Sequence, residues 1–374
     1  MEQIVISGTG VFTPEESITN KELVNAYNSY AESYNSNNED DISRGNKVAL
    51  ELSNEEFIFN ASGIKNRYVM DKKGILDPNI MHPILDKRSN DEPSILAEMS
   101  LKAAKKAMEK AKKKPHDIDA VITACSNLER AYPAISIEVQ ELLGIKGFAF
   151  DMNVACSSAT FAIQAAADMI KSGSAKTILI VDPEICSGHL DFKDRDCHFI
   201  FGDVCTAMIL EKRETVQSNN SFEILSTKCI TQFSNNIRNN FGFLNNAKKS
   251  SPLDRDLLFM QEGRKVFKEV VPMVSQLIID HVYEEKIKID EIKRLWLHQA
   301  NKSMNDFIGK KVLGRIPEDH EQPNILQDYA NTSSAGSIIA FSLYSEDMKS
   351  DEIGVLCSFG AGYSAGSIIL KKIS

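Results

Sequence analysis

Cys156 stands where an apolar, strand-like run passes into an alanine-rich helical one, in "DMNVACSSATFAIQAAADMI" (151–170). A thiol at a helix N-terminus feels the positive end of the macrodipole and the unpaired N–H groups of the first turn. Both favour thiolate, the nucleophilic form. Ser157, Ser158 and Ala159 are small enough to let backbone approach a substrate closely. The ordinary alternative is a buried structural cysteine. His298 ends the strand-like run "RLWLHQAN"; a lone strand-end histidine more often makes an ordinary hydrogen bond. Asn331 lies in "YANTSSAGS", where asparagine more often caps or turns the chain. The run "FGAGYSAG" (359–366) can form a tight hairpin or present N–H groups to an oxyanion. Together these segments supply a nucleophile, two hydrogen-bonding groups and an oxyanion-donor loop.

The elements around them alternate. A helix is expected at about 94–114, its lysines forming a solvated face. Strands are expected at 119–125, 175–184 and 206–212 and in "GFAFDMNVA", with helices at 134–144 and 157–172. The helix after Cys156 is apolar almost all round and should lie between layers. The pattern is that of an α/β protein with buried strands. It also repeats. "DIDAVITACSN" (117–127) aligns with "EIKRLWLHQAN" (291–301), "CSSA" (156–159) with "TSSA" (332–335), and "FGDVCTAMIL" with "FGAGYSAGSIIL", in the same order. Two copies of one α/β unit would bring Cys156, His298 and Asn331 onto matching loops at a shared cleft. Two polar stretches, 28–56 and 71–93, read as surface excursions.

Composition narrows the partners. The 374 residues are 43% hydrophobic and 25% charged, with 43 basic against 52 acidic side chains and a net charge of -9. That balance disfavours non-specific binding to nucleic acid or anionic membrane. No apolar run approaches the ~20 residues of a membrane span. The N-terminus "MEQIVISGTG" reads as a strand ending in a glycine turn rather than a signal peptide, which points to the cytoplasm. Seven cysteines without a CxxC pair argue against a disulfide framework or structural zinc. The group His189, Asp191, Asp194 and His198 could hold a metal, but a solvated loop whose Arg195 meets a phosphate is the stronger reading, so no metal and no cofactor are expected.

The motifs "SGIKNRYV", "AYPA", "LGIKGFAFDMNVACS", "DRDCHFIFGD", "EGRKVFKEVVP", "HQAN", "NTSSA" and "FGAGYSAGS" run nearly end to end. With them the sequence resembles the β-ketoacyl-acyl carrier protein synthases III of the thiolase superfamily. The resemblance implies a thiolase-like α/β fold of layers α-β-α-β-α in two pseudo-symmetric halves, 1–213 and 214–374, with insertions at 28–56 and 71–93. It implies that Cys156 is acylated by an acyl-CoA. His298 and Asn331 would then polarise the thioester of malonyl-acyl carrier protein, and the enolate left by loss of carbon dioxide would attack the acyl-cysteine. The N–H groups of Cys156 and Ala361 would form the oxyanion hole.

By the same resemblance, Phe57 and Arg195 would meet the CoA nucleotide. Ala61 stands where the family has a second arginine. Gly360 and Gly362 would shape the substrate site, and Tyr132 would cross a homodimer into the partner's acyl pocket. Lys268, Lys310 and Lys311 would dock the acidic carrier. The insertions flank the expected entrance, which suggests a medium-chain starter. The alternatives on this fold are a polyketide or quinolone-type starter synthase, a non-decarboxylating acyl-acyl condensing enzyme, and a non-catalytic partner subunit.

Overall fold

The computed structural model describes residues 2–247 and 254–373. Nine strands form its main sheet: β1 (Ile4–Phe12), β2 (Ala120–Ala124), β3 (Phe148–Met152), β4 (Thr177–Ile185), β5 (Asp203–Lys212), β6 (Phe222–Ser234), β7 (Ile292–Leu297), β8 (Ile353–Gly360) and β9 (Gly362–Lys372). Their order is β7-β8-β9-β6-β1-β5-β4-β2-β3. One side reads β1-β5-β4-β2 and the other β6-β9-β8-β7. In each, the first two pairings are antiparallel and the third parallel. The two sides pair with each other at Val5–Glu223 and Ile6–Phe222, on β1 and β6. The repeat seen in the sequence is therefore a repeat of strand order.

The helices form three layers around these two half-sheets. Helix α1 (Ile95–Ala111) and α2 (Ile135–Leu143) cover the outside of the first half-sheet. Helix α3 (Ser158–Lys171) and α6 (Ala335–Leu343) lie between the half-sheets, touching strands of both. Helix α4 (Gly263–Glu284) and α5 (Lys302–Leu313) cover the outside of the second. This is the layered α-β-α-β-α arrangement. The middle helices carry small and aliphatic side chains throughout, Ala159, Ala162, Ile163, Ala166, Ala335, Ile338 and Ile339 among them, all fully buried. Small side chains allow close approach from both sides at once, and about 25 cal/mol per Å² of apolar surface removed from water rewards it.

The structure changes some sequence readings and sharpens others. The first strand does not end in a glycine turn: β1 runs through Gly8 and Gly10 to Phe12. A Cβ on Gly8 would lie 2.3 Å from the Ala107 carbonyl oxygen, and one on Gly10 2.1 Å from that of Ala103. These glycines let α1 lie directly on the strand. The stretch 28–56 keeps to the surface but is tied down. Asn28 and Asn35, two turns apart on the helix Asn20–Asn37, each clamp the returning chain with a reciprocal pair of amide hydrogen bonds, Asn28 to Ser53 and Asn35 to Leu50. Its asparagine content is thus structural. The loop 189–198 does not gather its acidic and histidine side chains around a common point. Arg255 pairs with both Asp191 (3.2 Å) and Asp194 (2.6 Å), while His198 packs on Tyr27. The register of the internal repeat also changes, as the turns at Cys156 and Asn331 show.

Candidate active site

Cys156 follows a turn built by Asn153. The Asn153 side-chain oxygen accepts the N–H of Ala155 at 2.9 Å. Ala155 takes a left-handed φ of 47°, a conformation rarely adopted outside glycine, asparagine and aspartate. The turn throws Cys156 out ahead of α3, whose first residues are pinned by the Ser158 hydroxyl donating to the Ala155 carbonyl (2.7 Å). Asn331 builds the same turn in the second half. Its side-chain oxygen accepts the N–H of Ser333 at 2.9 Å, and Ser333 has φ 51°. The structural register thus pairs Asn153 with Asn331 and Ala155 with Ser333, which sets Cys156 against Ser334. The expected alignment of "CSSA" on "TSSA" is off by two residues.

Two cavities meet at Cys156. The first, about 400 Å³, also exposes His298, Asn331 and Gly360, and opens between α4 and α5 past Val266, Phe267 and Met304. The second, about 640 Å³, has Phe201, Phe233, Ile237, Phe241 and Phe259 along one part of its wall and Ser126, Asn127, Thr231 and Gln232 along another; Phe201, Ile237 and Phe259 also face the first. Both sizes suit small-molecule sites. Cys156, His298 and Asn331 therefore share one chamber, as expected from the sequence. His298 follows β7, whose parallel pairing to β8 is continued by its N–H to the Cys357 carbonyl (2.8 Å). Its ring stands edge-on to Phe359 at 5.2 Å, and the residue is only 2% exposed. Burial pulls its pKa down to about 4, so the imidazole is neutral near pH 7. With the Asn331 oxygen committed to its turn, the amide NH2 is left as the donor.

The N–H groups of Cys156 and Ala361 both act on the Cys156 sulfur and favour its charged form. Gly360 is pressed against the cysteine: a Cβ there would sit 2.5 Å from Cys156 Cβ and 2.9 Å from Sγ. Gly362 lines the second cavity with φ 132°, a conformation open to glycine. The expectation of a ready thiolate does not hold. Burial pushes the Cys156 thiol up to about 11, and the charge of nearby Glu184 adds to the rise. The N–H groups around the sulfur only partly offset this.

The more distant residues are less assembled. The Arg195 guanidinium lies over the Phe57 ring at 4.1 Å, with its Nε donating to the Leu52 carbonyl. The face of Phe57 expected to stack on a base is thus occupied by Arg195. Tyr132 is 85% exposed. Lys268 on α4, and Lys310 and Lys311 on α5, are exposed on the two helices that rim the first cavity. Sequence reasoning missed Asn153, Ser333 and the buried carboxyls behind the cysteine, Asp182 and Glu184, each fully buried. The shared Asn-x-Ala and Asn-x-Ser spacing was the available signal for the first two.

Residues 150–232 match the family model described as 3-Oxoacyl-[acyl-carrier-protein (ACP)] synthase III, and residues 282–372 its C-terminal counterpart. The chain is 58% identical over 347 residues, 93% of its own length and 99% of the relative's, to a beta-ketodecanoyl-[acyl-carrier-protein] synthase of Pseudomonas aeruginosa. It is 28% identical over 380 residues, 99% of its length and 100% of the relative's, to a beta-ketoacyl-[acyl-carrier-protein] synthase III of Clostridium perfringens. The crystal structure of 3-oxoacyl-[acyl-carrier-protein] synthase III from Aquifex aeolicus superposes with a TM-score of 0.76 at 23% identity, covering 98% of this chain and 99% of the other; it speaks to the fold alone. A thiol, a neutral imidazole and a side-chain amide facing one chamber, on a chain so close to these enzymes over nearly its whole length, make it a member of the 3-oxoacyl-[acyl-carrier-protein] synthase III family, acyltransferases that form carbon–carbon bonds.

Proposed function

We propose that Cys156 takes a medium-chain acyl group from an acyl-CoA, and that the acyl-enzyme condenses with malonyl-acyl carrier protein to give a 3-oxoacyl-acyl carrier protein in fatty acid synthesis. The observation that carries this reading is the position of Cys156 at the junction of two cavities. The larger, about 640 Å³ with Phe201, Phe233, Ile237, Phe241 and Phe259 along part of its wall, has room for an alkyl chain. The smaller places His298 and Asn331 where a second thioester would lie.

The order of steps follows from the chemistry of these groups. The acyl thioester carbonyl on Cys156 would direct its oxygen to the N–H groups of Cys156 and Ala361. As carbon dioxide leaves the malonyl group, negative charge grows on its thioester oxygen. His298, neutral, and the Asn331 amide, both buried, are donors that can stabilise that charge, and a single such donor is worth about 10²–10³ in rate. The enolate carbon then attacks the acyl carbonyl, and Cys156 leaves as thiolate. Phe57 and Arg195 would hold the CoA nucleotide, and Lys268, Lys310 and Lys311 the acidic carrier. Two copies would pair through the face carrying Tyr132, and the substrates place the reaction in the cytoplasm. Neither metal nor cofactor is called for.

The medium-chain starter draws on the 58% identity to a beta-ketodecanoyl synthase and on the size of the apolar cavity. Incubation with acetyl-, butyryl- and octanoyl-CoA, followed by intact mass measurement, tests it. Preferential octanoylation at Cys156 is expected, and preferential acetylation would overturn it.

A further inference from the structure

The Cys156 thiol must lose a proton to attack an acyl-CoA, and the chamber described so far does not provide for that loss. The thiol is raised to about 11, whereas the nearest imidazole, His298, is depressed to about 4. A base so much weaker than the group it serves accepts the proton poorly. Behind the cysteine lies a group with no role yet. Glu184, fully buried on β4, accepts hydrogen bonds from the Ser126 N–H (3.0 Å) and hydroxyl (2.5 Å). The turn carrying Ser333 bridges the two: Ser333 lines the same cavity as Cys156, and its neighbour Ser334 donates to Asp182 on β4 at 2.8 Å. The Ser333 hydroxyl is buried with no hydrogen-bond partner among the described residues, and it favours the charged forms of both the Cys156 thiol and the Glu184 carboxyl. The Asn331 turn and the left-handed backbone at Ser333 hold it there. Catalytic hydrogen bonds are often long before substrate binds.

We propose that Ser333 and Glu184 form a proton relay for Cys156, with Ser333 touching the reacting thiol and Glu184 acting through it. This rests on the acyl-cysteine reading above. As Cys156 Sγ bonds to the acyl carbon, the Sγ–H proton passes to Ser333 Oγ and the Ser333 hydroxyl proton passes to the Glu184 carboxylate. The carbon–sulfur bond to CoA then breaks, and the same proton returns through Ser333 to the departing CoA thiolate. The acyl group has moved, CoA leaves as a thiol, and Glu184 is again a carboxylate.

The surroundings suit Glu184 to this cycle. Burial raises it to about 7, near the pH at which it would have to accept and release a proton. The titratable groups that feel its charge are Asp182, two residues along the same strand, and the thiols of Cys125, Cys156, Cys186 and Cys205. Asp182 is pushed well above the usual carboxyl range by burial and by the charge of Glu184. It therefore keeps its proton while Glu184 titrates.

The alternative is that Glu184 acts only as a buried charge, and the two roles differ in sign. Its charge raises the Cys156 pKa; as a mere charge, its removal would speed the reaction of Cys156. As the end of a relay, its removal slows it. The test is the single-turnover rate of Cys156 acylation by octanoyl-CoA between pH 5.5 and 9, in wild type, Glu184→Gln, Ser333→Gly and the double variant. Glutamine keeps the Ser126 contacts. Glycine is at home at the Ser333 backbone angle, so that variant removes the hydroxyl without new strain. The expected result is a wild-type rate that rises through pH 7, a loss of about 100-fold and of that limb in each single variant, and little further loss in the double. Single variants as fast as wild type, or faster, with the same pH profile would overturn the relay. Absence of acylation in wild type would instead overturn the acyl-cysteine reading.

Discussion

Asn153 and Asn331 make the same turn in the two halves of the molecule, 178 residues apart, each side-chain oxygen accepting the N–H two residues on at 2.9 Å. The donating residues, Ala155 and Ser333, share left-handed φ values of 47° and 51°. One turn places Cys156, the proposed nucleophile. The other brings its own asparagine to the chamber, because Asn331 opens on it while Asn153 lies by the second cavity. The asparagine turn common to both halves shapes a strand-to-helix corner in each, and only Asn331 also presents a donor where a second thioester would lie.

Asn331→Asp separates these two duties. Aspartate keeps the turn oxygen and so the position of Ser333, but replaces the amide donor by an acceptor that repels an enolate. Acylation of Cys156 should stay within a few-fold of wild type, while condensation falls by at least 100-fold. Mass measurement of the acyl-enzyme and release of carbon dioxide from malonyl-acyl carrier protein give the two rates. Equal losses in both would mean that Asn331 serves the turn alone.

His298 should act as a neutral donor. Its imidazole is depressed to about 4 by burial, so it is already uncharged above about pH 5. Condensation by pre-acylated enzyme should therefore be flat with respect to this group from pH 5.5 to 8, and should decline only as pH falls towards 4. A rate that fell as pH rose through 6.5 would point to an imidazolium. His298→Ala should leave acylation intact and lower condensation by about 10²–10³.

Gly360 sets the space around the sulfur. With a Cβ placed 2.9 Å from Cys156 Sγ, Gly360→Ala must displace either the cysteine or the end of β8. Acylation should fall more than 100-fold. The thermal transition should move much less, because the strain is confined to the end of a strand whose remaining ladder is unchanged. An alanine variant that is acylated at the wild-type rate would show that the hairpin yields without disturbing the site.

Much of this was legible in the sequence, for reasons that can be named. Alternating apolar runs gave the strands because nearly all of them are buried on both faces, and the even apolarity of 157–172 marked α3 as a middle-layer helix. Cys156, His298 and Asn331 could be chosen because each ends a strand or opens a turn in a repeated unit. What failed depends on three-dimensional neighbours. Gly8 and Gly10 look like turn residues until α1 is laid on β1. The position of Cys156 at a helix start promised a thiolate, but burial outweighs the terminal N–H groups. The repeat was read from "SSA" letters, whereas the backbone aligns on asparagine turns, which conserve a hydrogen bond rather than a string. Asp182 and Glu184 were invisible because acidic residues in a strand carry no local sign that they will be buried.

The contact between Arg195 and Phe57 makes a last point open to measurement. The guanidinium rests on the ring at 4.1 Å and is tethered by the Leu52 carbonyl and, at 3.6 Å, by Glu51. A partly exposed stack of this kind contributes about 0.5–1 kcal/mol, and the exposed ion pair little more. Losing it should hardly affect the fold. A charge-assisted hydrogen bond to a phosphate is worth about 1.5–3 kcal/mol. If Arg195 swings from Phe57 to the nucleotide, Arg195→Ala should raise the KM for acyl-CoA by about 10–100-fold, with the melting temperature nearly unchanged. The condensation rate of enzyme already carrying its acyl group should not move, since that step no longer needs CoA. An unaltered KM would leave the arginine as a clasp for the 50–57 segment only, and a loss confined to the condensation step would place it on the carrier side of the reaction.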